Sequence, residues 1–277
     1  MTARRLRSIF LLPSASVMLA LFWTPLLIVA VYSLMTRGPY GGVLLPWSIE
    51  SYTRAFDILY VRILWRSVWI AALATAICLV LGFPLALYIA RAKRHKLLLL
   101  NFVMLPFWTS FLIRTYAWMF LLRDTGLINS TLEGLHVIAH PLPLLFNDGA
   151  VILGLVYGYL PFMVLPLYAT LERIDPILID AAQDLGASPA SALWRVVIPL
   201  SKAGMLAGCL LVFIPCLGAY LTPDLMGGGK TVMIGNLVQN QFTSSRDWPF
   251  GSAVSLLLMA IVLVISLALR RRTEDLL

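Results

Sequence analysis

Charge is scarce in this chain. Only 12% of its 277 residues are Asp, Glu, Lys or Arg, against about 25% in soluble domains, which is too few to clothe a surface in water. Cysteine is rarer still. Cys78, Cys209 and Cys216 each lie inside an apolar run, which argues against a disulfide framework or a thiolate metal site and for small buried side chains. The three histidines, His95, His136 and His140, fall in loop segments. No Ser/His/Asp set and no metal-spaced His/Cys set occurs, so neither catalytic residues nor a metal site are expected. Internal repeats, low-complexity tracts and a separate soluble domain are also missing.

Apolar residues fill the gap: they make up 60% of the chain, and the mean hydropathy is +0.89. The bulk solvent for such a chain is lipid, and its length is counted in membrane spans of about 20 residues. Six apolar runs are long enough, at 9–34, 67–90, 97–122, 150–171, 205–226 and 251–269. The first follows Arg4, Arg5 and Arg7 in the manner of a signal peptide. It exceeds the usual apolar core of roughly 7–15 residues, so it is expected to remain as a span.

The net charge of +8 and pI near 9.7 fit basic residues flanking those spans. Placing the N-terminus inside puts Arg4, Arg5, Arg7, Arg91, Lys93, Arg94, Lys96, Arg173, Arg195, Lys202 and Arg270 to Arg272 in the cytoplasm. Arg37, Arg54, Arg62, Arg66, Arg123, Lys230 and Arg246 then lie outside, and Arg114 lies within a span. The excess favours cytoplasmic termini. Of the outer loops, "LPWSIESYTRAF" has helical spacing and is expected to lie along the interface. "RDTGLINSTLEGL" reads as a turn followed by a short helix.

Between spans four and five lies "IDPILIDAAQDLGASPASALWRVVIPL". Asp175 before Pro176, and Ser188 before Pro189, are N-caps followed by proline at the first helical position. Gly186 stands where a left-handed helix stop wants glycine, and Pro199 is expected to end the second helix. Two short helices at a fixed elbow are implied. Ile177, Leu178, Ala181, Ala182 and Leu185 share one face of the first helix, with Asp180 and Asp184 beside it. A DNA-reading helix-turn-helix has a similar elbow. Its second helix, however, needs polar and basic side chains for bases and phosphates, and this one offers only Ser191 and Arg195. A hairpin that merely covers the bundle's inner end is a further alternative.

These residues resemble the EAA coupling loop of ATP-binding-cassette importer permeases: Glu-Ala-Ala, three residues, Gly, nine residues, Ile-x-Leu-Pro. Asp180, Ala181, Ala182, Gly186, Val196, Ile198 and Pro199 occupy those places, with Asp for Glu, Val for Ile and Ile for Leu as departures. "LPFWTSFLIRTYAW", "GLVYGYLPFMVLPLY", "DLMGGGKTVMIGNLVQNQF" and "RDWPFGSA" are similar to spermidine/putrescine permeases, in particular the first permease of the pair. The resemblance implies an all-α integral membrane protein of type I importer fold, one permease domain over residues 1–277. It also implies Asp180, Ala181, Ala182, Asp184, Gly186 and Pro199 as the contact with an ATPase. Its implied partners are a homologous second permease, two ATPase subunits, an extracytoplasmic solute-binding protein and membrane lipid, with no nucleic acid. The implied location is a bacterial inner membrane. No cofactor is expected on this chain, since ATP and Mg would sit on the ATPase.

"DLMGGGKT" imitates a phosphate loop, but the required first glycine is Asp224, whose carboxylate would repel phosphate. For a cation's path the candidates are Tyr116, Trp118, Tyr157, Tyr159 and Tyr220, whose rings attract ammonium groups, together with Asp224. Against this, aromatics near span ends are commonly interfacial anchors. Arg114 is expected near the outer interface, with Asp224 as a candidate partner. Some relatives carry a glutamate where Ala219 stands. The alternative function is a self-sufficient secondary transporter or channel, which usually carries coupling carboxylates or broken helices at the midplane. Spans one, two and six have no acidic residue.

Overall fold

The computed structural model describes residues 3–92 and 94–274, without the side chains of 3–12, 14, 15 and 268–274. Lys93 and the side chains of Arg4, Arg5, Arg7 and Arg270 to Arg272 therefore lie outside the described residues. Helices dominate because a backbone in lipid must satisfy its own hydrogen bonds. Helix α1 (Ala3–Ser33) leads into a hairpin of β1 (Met35–Arg37) and β2 (Val43–Trp47), then α2 (Glu50–Ala55) and α3 (Ile58–Arg91). Next come α4 (Lys96–Met104), a 3₁₀ turn (Leu105–Trp108), α5 (Phe111–Leu122), α6 (Leu127–Gly134) and α7 (Asp148–Leu171). After α8 (Pro176–Asp184), the helical stretch Pro189–Leu200 comprises α9 (Pro189–Ala192), a π turn (Leu193–Val197) and α10 (Ile198–Leu200). Helices α11 (Lys202–Leu217), α12 (Leu221–Gly227), α13 (Ile234–Phe242) and α14 (Trp248–Glu274) follow.

Among the described residues, four segments are long and apolar enough to cross a membrane: Ser16–Ser33, Ile58–Arg91, Asp148–Leu171 and Trp248–Leu267. Two bent pairs raise this to six if each counts as one span: Lys96–Trp108 with Phe111–Gly134, bent by 87°, and Pro189–Leu200 with Lys202–Leu217, bent by 66°. Several expected boundaries shift. Helix α3 begins at Ile58 rather than near 67, so Arg62 and Arg66 are helical. At ~1.5 Å per residue it is about 51 Å long, well beyond the ~30 Å of hydrocarbon. The run 97–122 is broken at Thr109, whose extended backbone follows the 3₁₀ turn at Pro106. The run 205–226 is two helices, because α11 stops at Gly218 and α12 starts afresh at Leu221. "LPWSIESYTRAF" yields the short helix α2, but its first residues belong to the hairpin. "RDTGLINSTLEGL" does give a turn and then α6.

The described residues form two compact units. One combines Met1–Val61, as far as described, with Leu237–Leu263. Here the hairpin is fastened by Gly42 N donating to Arg246 O at 2.9 Å and by Arg37 Nη2 donating to Ser245 O at 2.8 Å. The Asp247 side chain is 4% exposed; it pairs with Arg54 at 2.5 Å and accepts from Phe250 N, capping α14. The Arg54 guanidinium also stacks 3.8 Å from the Phe250 ring centre.

The other unit contains Arg62–Asn236 and the described part of Val264–Leu277. Its main contact is α11 along α7, with a core including Leu155, Met163, Leu167 and Leu217. Backbones come close through glycine, the small-residue packing of membrane helices: a Cβ on Gly208 would stand 2.7 Å from Met163 Sδ. Helix α12 packs on α7 and α5. Cys78 and Cys216 are buried, Cys209 is half-buried, and all three are free.

Candidate functional site

The elbow predicted from local sequence is present. Asp175 accepts from Ile177 N at 3.0 Å and caps α8. Gly186 has φ +87°; its N–H donates to Gln183 O, while Ala187 N donates to Ala182 O at 3.0 Å. That pair of bonds is a Schellman stop, which satisfies the last carbonyls of α8. Ser188 then accepts from Ser191 N at 3.2 Å and opens the next helix. Pro199 departs from expectation: the helix runs past it to Leu200. The π turn explains why. Ile198 N reaches back five residues to Leu193 O, and a widened turn relieves the clash a proline makes with the carbonyl behind it.

Helix α8 buries none of its residues. Ile177 is 68% exposed and Leu185 90%, with Leu178, Asp180, Ala181 and Asp184 exposed beside them and Ala182 half-buried. Nine residues span only ~14 Å, so α8 is a presented apolar face rather than a membrane crossing. At the base of this loop Lys96 pairs with Glu172 at 2.5 Å, tying the start of α4 to the end of α7. The Lys96 hydrogen bond, helped by Tyr168, holds the Glu172 carboxyl below its ordinary range. Sequence reading missed this brace because its partners lie 76 positions apart.

The six path candidates separate. Tyr159 and Tyr220 line one cavity of about 260 Å³ at the break between α11 and α12, together with Phe111, Pro215 and Thr222. Trp118 and Tyr157 pair edge-to-face at 5.4 Å. Tyr116 is 54% exposed, and Asp224 is exposed on α12 without lining the cavity. Arg114 does not find Asp224: among the described residues it makes no ion pair. It lies between Phe107, at 4.7 Å, and Phe111, at 5.6 Å, close to the 87° bend. Thr222 was not singled out by sequence; the signal available was a proline two residues into a helix that follows a glycine stop.

The "GGGKT" turn has structural work of its own. The Thr231 hydroxyl donates to Asp148, Arg66 pairs with the same carboxylate at 2.6 Å, and Arg66 Nη1 donates to Lys230 O at 3.0 Å. Nearby, Ile234 N donates to Ser67 Oγ at 2.8 Å, and Asn236 Nδ2 donates to Tyr220 O at 2.8 Å. These bonds fix the backbone on both sides of α12.

Residues 2–272 match the family model described as binding-protein-dependent transport system inner membrane component. The spermidine/putrescine transport system permease protein PotB of Haemophilus influenzae is 41% identical over 87% of this chain and 86% of its own length. PotB of Escherichia coli K12 is 44% identical over 86% of this chain and 87% of its own length. A crystal structure of a bacterial ABC transporter involved in the import of the acidic polysaccharide alginate superposes with a TM-score of 0.80. That match covers 98% of this chain and 95% of that one, at 16% identity, a likeness of fold. A multi-pass, non-catalytic membrane component with the type I ABC importer permease fold, this chain belongs to the family of binding-protein-dependent transport system inner membrane components.

Proposed function

We propose that the chain is a permease subunit of an ATP-driven importer that carries polyamines, such as spermidine or putrescine, into the cell by alternating access. The observation that carries this reading is α8: a capped helix too short to cross lipid, holding Ile177, Leu178, Ala181 and Leu185 out to solvent. Exposed apolar faces of this kind mark interaction sites. Asp180, Ala181, Ala182, Asp184 and Gly186 form the contact with the ATPase, and Pro199 sits in the helix that passes the motion on to α11. The relatives' names support the polyamine cargo.

The same reading supplies the rest of the assembly. A homologous second permease and two ATPase subunits complete the complex, and an extracytoplasmic binding protein delivers the cargo. ATP and Mg bind to the ATPase, and this chain carries no cofactor. The bias of basic residues places both termini and the α8 elbow in the cytoplasm of a bacterial inner membrane, with six spans. Tyr116, Trp118, Tyr157, Tyr159, Tyr220 and Asp224 are the candidate contacts along the path.

Co-purification tests the reading. Ala181→Arg or Ala182→Arg should lower recovery of the ATPase with the permease complex at least several-fold while the permease pair stays assembled. Undiminished recovery would move the contact elsewhere.

A further inference from the structure

Arg114 is a cation that its own chain leaves unmatched. Its Nε and Nη1 are buried without a hydrogen-bond partner among the described residues. The ion pairs found there use Arg54, Arg66 and Lys96 instead. The guanidinium lies between two rings, 4.7 Å from the centre of Phe107 and 5.6 Å from that of Phe111. Aromatic faces recover part of what a charge loses on leaving water, and not all of it. Arginine keeps its charge in a protein, so shedding a proton offers no escape. Its place on α5 deepens the deficit. It stands in the first turn, after an N-cap, Ser110, whose side chain makes no capping bond, and that end of a helix is itself positive.

Depth narrows what can supply the missing negative charge. Both rings rest against the middle of α7: Phe107 meets Phe162 edge-to-face at 5.1 Å, and a Cβ on Gly158 would stand 3.2 Å from the Phe111 ring. Along α7 (Asp148–Leu171), Gly158 and Phe162 each lie about 13 Å or more from either end at ~1.5 Å per residue. Arg114 therefore sits at mid-span. A residue count along the unbroken run pointed to the outer interface, and the bend at Thr109 makes the difference. Lipid phosphates stand at the edges of ~30 Å of hydrocarbon, and a cytosolic ATPase or an extracytoplasmic binding protein stops there too. A charge at such depth pairs with another or faces the interior of a bundle. Beside Arg114, α5 turns Ile113, Tyr116 and Phe120 outward, each more than half exposed. A neighbouring span fits that face.

We propose that Arg114 pairs with a carboxylate that the second permease carries at the same depth, against this face of α5. The proposal rests on the two-permease assembly above and names one contact within it. Apolar helices slide past one another at little cost, whereas a buried pair is satisfied at one axial position only, so it sets the register of the two bundles.

The test is co-purification of the two permeases, expressed with their ATPase and extracted in dodecyl maltoside, an uncharged detergent without phosphate. Arg114→Met strands the partner's carboxylate and should lower recovery of the second permease by about tenfold or more; Arg114→Lys should keep most of it. Each membrane-embedded Asp or Glu of the second permease is then changed to its amide in the Arg114→Met background. One of these changes should restore recovery, because removing both charges leaves neither stranded. Undiminished recovery with Arg114→Met, or no restoring amide, overturns the pair. Restoration by Asp224→Asn of this chain overturns it in favour of a second copy. Recovery of the wild type that depends on added phosphatidylglycerol, with no such dependence in Arg114→Met, overturns it in favour of a lipid phosphate. Should Arg114→Met fail to accumulate, Arg114→Gln carries the same expectation and the same refutation. The wild-type chain separates the two readings: if it recovers no second permease, the assembly is wrong; if it does and Arg114→Met does equally, only the pair is wrong.

Discussion

Single residues carry unequal weight here, and their environments say which matter. At Gly186 no atom stands within 4 Å of a would-be Cβ, so the constraint is conformational rather than steric. Gly186→Ala should cost roughly 1 kcal/mol of elbow stability and slow uptake in part. Gly186→Pro cannot adopt φ +87°, and it also deletes the N–H given to Gln183 O. It should abolish uptake while the protein still reaches the membrane, measured by transport assay and membrane fractionation. Asp247 is a different case, since it neutralises Arg54 and caps α14 at once. Breaking a buried pair leaves its partner stranded, and Arg54 is about a third exposed, so Asp247→Ala should lose about 3 kcal/mol, read from thermal unfolding in detergent. The Lys96–Glu172 brace lies in solvent, and its effect is set by pH. Because the Glu172 carboxyl titrates below its ordinary 4.5 in the folded protein, its stabilisation is complete above that value. It is lost as pH falls through the lowered one. The melting difference between wild type and Glu172→Gln should be present at pH 7 and vanish in strong acid.

Among the elements, the contact of α11 with α7 is the most exacting. Gly208→Val would force atoms into the space of Met163 and should cost roughly 1–3 kcal/mol by overpacking, visible as a lower melting temperature of the assembled complex. The elbow was legible in the sequence almost bond by bond, because caps and glycine stops are decided by residues two to five positions apart. Boundaries fixed by tertiary geometry were not. An apolar run looks the same whether it is straight or bent by 87°, so the break at Thr109 and the restart at Leu221 went unseen. The extra turns of α3 from Ile58 went unseen too, because Arg62 and Arg66 interrupt the apolar pattern. The π turn leaves no mark in composition, and Pro199 therefore read as a stop. In the site, Tyr159 and Tyr220 were found by residue type. Thr222, which lines the same cavity, was not found, because a threonine in an apolar run carries no such mark.

For the molecule as a whole, the division of labour has a measurable side. Reconstituted alone, the chain should neither hydrolyse ATP nor concentrate polyamine, whereas the complete assembly proposed above should do both; accumulation by the lone chain would favour a self-sufficient transporter. The π turn at Leu193–Val197 bears on how a proline is carried within the stretch that leads to α11. A π turn is an α-helix with one residue too many, and each residue of an α-helix advances the chain by about 100° around its axis. Excising that surplus residue would restore a regular coil and leave the caps, the glycine stop and the bundle untouched. The wider turn absorbs its surplus residue locally, so the deletion would leave α8 nearly in phase with α11. What it would lose is the room that the wider turn gives Pro199, whose ring would then meet the carbonyl four residues back, so the shortened chain should melt at a lower temperature than the full one.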